Sequence, residues 1–253
     1  MNIYVSGMLW VAGAALVAAV VAYLIRRIGA TEGTVENNEA AGQVFTLVGG
    51  LQAVLVAFVL ISLFDGASAA EDGSYTEADS LVAAVWAAES LSEQSRAEIG
   101  EQAVAYASTV INEEWPRMKE GLPVGDEGWQ ELTALRRLVA DAPAEDEWSI
   151  DQKTEASGQL WEAYKARQDR LNTATDGGVN SVVWFAMVAG AVMSLALPLL
   201  FGGPRPATHI LIVSILAATM TLLLFSTQQL QNPYSGGAEI DPAAFVSALD
   251  RLR

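Results

Sequence analysis

Four runs of uncharged, mostly apolar residues decide what this chain can fold into. They cover residues 5–25, 44–64, 179–201 and 207–230, and none contains Asp, Glu, Lys or Arg. A bilayer core is crossed by about 20 such residues in helical conformation. In hydrocarbon every backbone N–H and C=O needs an internal partner, so runs of this kind are expected as transmembrane helices. The expected fold class is all-α: an integral membrane protein with four transmembrane helices in two hairpins and an acidic helical bundle inserted between them.

The composition supports an uneven chain. Hydrophobic residues make up 52%, yet acids outnumber bases 30 to 14 and the formal net charge is −16. Such a chain must gather its apolar residues in some segments and its acids in others. An ordinary soluble domain, a disordered chain and a nucleic-acid binder are excluded on those grounds. With no cysteine there is no disulfide, thiolate nucleophile or cysteine metal site. His209 is the single histidine, which excludes a histidine-based triad or metal centre within one chain. No phosphate loop, dinucleotide fingerprint or nucleophile elbow is present. Neither an enzyme nor a bound cofactor or metal is expected.

The runs divide the chain. Residues 1–64 form the first transmembrane hairpin and 65–178 an acidic extramembrane helical domain. Residues 179–230 form the second hairpin and 231–253 an extramembrane tail. The region 65–178 holds 24 acids and 9 bases, nearly the whole net charge of the protein. Alanine, glutamate and leucine from residue 75 to 114 predict one helix, with Leu81, Val85, Ala88 and Leu91 on its apolar face. Trp115-Pro116 is expected to interrupt it. Further helices are expected over 129–139 and 151–172. In the tail, Asp241 is expected as N-cap and Pro242 at the first helical position, with Phe245, Leu249 and Leu252 facing the bundle.

Orientation follows from the bases next to the spans. Nothing basic precedes the first run, whereas Arg26 and Arg27 follow it, and Arg205 lies between the third and fourth. Placing those loops in the cytoplasm puts both termini and the acidic domain outside a multi-pass cell-membrane protein.

Within the spans few residues invite a functional reading. Gln52 is an amide near the middle of the second, either a link between helices or a pore-lining group. Thr46, Gly50, Ala53 and Ala57 form a small-residue stripe at helical spacing that allows close helix approach. No ionisable residue lies deep in any span, which argues against a proton-coupled pump but not against a channel. The acidic pairs, Glu113-Glu114 among them, lack the spacing of a calcium loop and read as a solvated acidic face.

Three segments resemble the bacterial bestrophin-like domain family. They are VFTLVGGLQAVLVAFVLISLFDGAS, with Phe58 in its outer half; YTEADSL, where Glu77 and Ala78 begin the long helix; and LFSTQQLQNPYSGGAEIDPAAFVSAL. In the last, Asn232, Pro233, Tyr234, Ser235 and Gly236 match the family's Asn-Pro-Phe-Ser-Gly pattern, with tyrosine for phenylalanine. Pro242 and Phe245 match its downstream helix. The resemblance covers nearly the full length and implies a relation to bestrophins, which are oligomeric anion channels. The functional expectation is an oligomeric, ion-permeable protein whose partners are the lipid bilayer, further copies of itself and small ions. The alternative is a non-conducting sensor or scaffold whose acidic domain binds a partner.

Overall fold

The computed structural model describes residues 3–29, 38–176, 178–200 and 206–253. Among these residues the structure is all-helical, without strands. Nine α-helices are described: α1 (Ile3–Gly29), α2 (Asn38–Ala88), α3 (Glu93–Thr109), α4 (Trp115–Lys119), α5 (Glu127–Asp141), α6 (Glu147–Asp176), α7 (Ser181–Leu200), α8 (Pro206–Gln229) and α9 (Ala243–Leu252). Arg205 lies outside the described residues, as do positions 30–37 of the first expected loop.

The chain divides into two units, residues 1–64 with 178–231 and residues 65–177 with 232–253. The first unit carries the four apolar helical stretches. Here α1 lies mainly along α8, and α7 also packs on α8. The extensive neighbour of α1 is therefore the last span and not the one that follows it in sequence. From α2, Val56, Val59 and Leu63 pack with Met187 of α7. Most other large apolar side chains, among them Leu9, Trp10, Val182 and Phe185, point outward. In water this would be a severe cost; against lipid tails it is the expected state.

The second unit has an ordinary core. Leu81, Ile99, Tyr106, Met118, Leu135, Leu160 and Phe245 are fully enclosed. Here α3 packs against α5 and α9, and α5 packs against α6.

Three expectations about this unit are corrected. The helix expected over 75–114 is two helices, because the chain turns at residues 89–92. Serines compete with the helical backbone for hydrogen bonds, and Ser92 becomes the N-cap of α3, its side chain accepting from the Ser95 N–H. Trp115-Pro116 does not break the chain. A π-turn at Val110–Glu114 carries α3 into α4, with the Trp115 N–H reaching the Val110 carbonyl. The widened turn accommodates the missing proline N–H. Asp241 does not cap α9: Pro242 holds the cap position, and no side chain bonds there. Phe245 is buried, and Leu249 and Leu252 pack on the core, as expected of the tail's apolar face.

The segment before α9 is fixed by its own backbone chemistry. The Asn232 side-chain oxygen accepts from the Tyr234 N–H at 2.9 Å, and the Ile240 N–H donates to the Pro233 carbonyl at 3.0 Å. Gly236 closes this turn at φ +86°, where a β-branched residue is strongly strained. Gly236→Val is expected to lower the melting temperature of the detergent-solubilised protein by several degrees, followed by tryptophan fluorescence. An unchanged transition would show that the turn tolerates a different backbone.

Candidate functional site

The helical unit buries two arginines and two glutamates together. On α6 the apolar face runs Ala156, Leu160, Ala163 and then continues as Arg167 and Arg170, both essentially unexposed. Isolated buried charges are prohibitive, so each must meet a counter-charge and have its donors satisfied. Arg170 donates from Nε to Glu77 Oε2 at 2.7 Å and from Nη2 to Glu77 Oε1 at 3.0 Å. The same Nη2 donates to Glu114 Oε2 at 2.9 Å. Arg167 grips Glu114 with both terminal nitrogens, at 2.8 and 2.5 Å. The Tyr106 hydroxyl donates to Glu77 and accepts from Arg167 Nη1 at 3.3 Å.

Aromatic rings complete the enclosure. The Arg167 guanidinium lies 4.5 Å from the Trp129 ring centroid and 5.4 Å from that of Tyr106. Arg170 lies 5.8 Å from Trp115 and 5.6 Å from Phe245. Each delocalised cation thus meets ring faces where it does not meet a carboxylate. The tail joins here too. Tyr234 meets Trp115 edge to face at 5.4 Å, the Trp115 ring N–H donates to the Ile240 carbonyl at 3.0 Å, and the Asn232 amide donates to the Met118 carbonyl at 3.1 Å.

The ionisation follows the geometry. Burial pushes the Glu114 carboxyl up, but the Arg167 hydrogen bonds and the Arg170 charge outweigh it and hold it below the ordinary carboxylate value. For Arg170 burial favours the neutral form, and the Glu77 charge and hydrogen bonds reverse this, raising it well above the usual arginine value. Burial and the Glu77 charge raise the Tyr106 hydroxyl well above its normal value. Burial dominates at Tyr234, pushed up to about 12. Two positive and two negative charges cancel inside the bundle. Among the described residues Arg167 Nε and the Tyr234 hydroxyl are left without a hydrogen-bond partner; the remaining groups form a charge-balanced latch joining α2, the π-turn, α6 and, through the rings, the tail.

The sequence expectations fare unevenly here. Glu77, Asn232, Pro233 and Tyr234 are gathered around this cluster, and Ser235, Gly236 and Pro242 frame the turn that follows it. Glu114 is not part of a solvated acidic face; it is 2% exposed. The π-turn adds a residue to the register and places Glu114 and Trp115 both inward. Tyr106, Arg167 and Arg170 were missed, although two arginines continuing an apolar stripe at helical spacing were a readable signal. Among the described residues no group of three or more carboxylates or imidazoles could hold a metal ion.

In the membrane unit Gln52 is buried, and its amide donates to the Met187 carbonyl at 2.9 Å. Gly190 on α7 makes room: a Cβ there would run into the Gln52 amide. Thr46, Gly50, Ala53, Ala57 and Phe58 lie on exposed positions of α2.

These features define a class of protein, a four-span helical membrane protein with an ion-paired helical unit. The chain belongs to the bestrophin-like domain family, whose model matches residues 12–245. Two crystal structures share its fold. One is a point variant of a bacterial bestrophin homologue from Klebsiella pneumoniae, with a TM-score of 0.70 at 13% identity, covering 100% of this chain and 98% of that one. The other is a point variant described as a membrane protein, with a TM-score of 0.70, 13% identity and coverage of 100% and 97%. No curated protein matches the sequence.

Removing one partner from a buried ion pair typically costs about 3–5 kcal/mol. Glu114→Gln is expected to destabilise the protein by that order. The carboxyl's folded value lies below its unfolded one, so its stabilisation is present above the ordinary carboxylate range and is lost as pH falls through the depressed value. Melting temperature against pH should therefore decline on the acid side in the parent and decline less in the variant. Parallel acid limbs would show that the pair does not contribute.

Proposed function

We propose that this protein is a subunit of an oligomeric ion channel. The observation that carries the reading is the outward face of α2. Thr46, Gly50, Ala53 and Ala57 are small, aligned and left uncovered by their own chain. Lipid contact does not call for a small-residue stripe, whereas close approach of further helices does. Several copies with such faces converging would line a narrow path with hydroxyl, glycine and alanine surface, and Phe58 would supply an apolar constriction of the kind that gates by dewetting. Membership of the bestrophin-like family and a fold shared with a bestrophin homologue support the same reading. A non-conducting sensor or scaffold has one observation in its favour: the Gln52 amide is spent on the Met187 carbonyl and does not offer a polar lining.

We further propose that the helical unit and both termini are extracytoplasmic, from the arginines near the first loop and Arg205. The lack of native cysteines makes the test clean. Cysteines placed at the exposed positions Ala97 and Gly237 should react with an impermeant thiol reagent on intact cells. Reaction only after the membrane is opened would reverse the orientation.

Conduction is tested in liposomes. Purified protein should pass ions, and Gly50→Leu should reduce the flux at least tenfold. The acidic region, −15 over residues 65–178, enriches cations and depletes anions within a screening distance of about 8 Å at physiological salt. Reversal potentials are expected to favour cations at low ionic strength and to lose part of that preference as salt rises. A chloride current insensitive to salt would place the bundle's charge outside the control of ion entry. Absence of any flux would favour the scaffold reading.

A further inference from the structure

Between α5 and α6 lies an open cleft of about 600 Å³, a size typical of small-molecule sites. Its wall is aromatic. Trp161 and Tyr164 stack nearly parallel, 5° apart with centroids at 5.1 Å, and Tyr164 meets Trp129 at 5.2 Å. Trp129 is held from behind by the Arg167 guanidinium, so this part of the wall is anchored to the buried ion cluster. Trp161 is 56% exposed, a large ring left open to solvent.

The cleft also carries the wrong charge for its surroundings. Within a strongly acidic unit it is lined by Arg136 and Arg137, both exposed. Among the described residues seven other bases of this unit are engaged, while Arg96 and Arg253, which do not line the cleft, are not. Lys119, Lys165, Arg167, Arg170 and Arg251 meet carboxylates, and Arg117 and Lys153 donate to backbone carbonyls. Arg136 and Arg137 have no side-chain partner among the described residues. Guanidinium groups are the side chains best shaped to take a carboxylate or phosphate through paired hydrogen bonds. Their neighbouring rings offer a flat apolar surface for stacking.

We propose that this cleft binds a small aromatic anion, its ring against the exposed Trp161 and its carboxylate on Arg136 and Arg137. A second copy of the chain is a weaker fit, because the recess has the volume of a small-molecule site. The proposal is independent of ion conduction.

The test uses the full-length protein in detergent and 2-naphthoate as probe, titrated calorimetrically against a detergent blank. Saturable binding is expected, weakened at least tenfold by Arg136→Gln with Arg137→Gln and at least tenfold by Trp161→Ala. The uncharged 2-naphthol should bind the parent no better than 2-naphthoate binds the double variant. The arginines are exposed and have no partner to lose, so melting temperature should be unchanged in the double variant. Should the double variant fail to fold, the tryptophan variant and the uncharged probe still decide. No saturable binding, equal affinity in the variants, or equal affinity for the uncharged probe would overturn the proposal. So would a change in subunit number on replacing the arginines without probe binding to the parent, since the face would then be a contact between copies.

Discussion

A charge removed from water must be met by an opposite charge and by hydrogen bonds in the right directions. The helical unit of this protein is organised around that requirement. Arg170 cannot be enclosed without Glu77 on α2 and Glu114 on the π-turn, and Glu114 cannot be enclosed without Arg167. Hydrophobic burial is non-directional and tolerates sliding of one helix past another. A planar guanidinium gripping a carboxylate does not. The cluster therefore fixes the relative register of α2, the π-turn and α6 in a way that alanine-rich helix faces alone do not.

Several local features follow from this centre. Glycine at 128 is required because a Cβ there would run into the Glu114–Arg167 pair. Proline at 116 is tolerated because the π-turn that points Glu114 inward also relieves the ladder at that position. The Asn-Pro-Tyr-Ser-Gly segment is tied to Met118 and Trp115, side by side with the residues that enclose Arg170. The family pattern in the tail and the buried ion pairs are thus parts of one arrangement.

The membrane unit obeys a different rule. Lipid supplies no hydrophobic drive between helices, so packing rests on fit and on occasional polar links. One such link joins Gln52 to the Met187 carbonyl, with the Gln52 amide lying over Gly190. Large apolar side chains face outward throughout, and α2 keeps a row of small residues uncovered. That uncovered row is the physical basis for expecting further copies in the assembly.

The sequence by itself determined the four spans, because uncharged length is a local property that a bilayer reads directly. It also determined the all-helical class, the acidic character of the central region and, through Asn232 to Gly236, the family. Its misreadings share one cause. The turn at residues 89–92, the helical path through Pro116 and the inward turn of Glu114 each depend on what lies across the fold, not on neighbours along the chain. Glu114 looks like any surface acid until Arg167, fifty-three residues away, is brought beside it. Arg136 and Arg137 look like solvated bases until α6 sets aromatic rings next to them. Only tertiary structure decides such cases, because the cost of burying a charge is settled by partners that the linear order does not reveal.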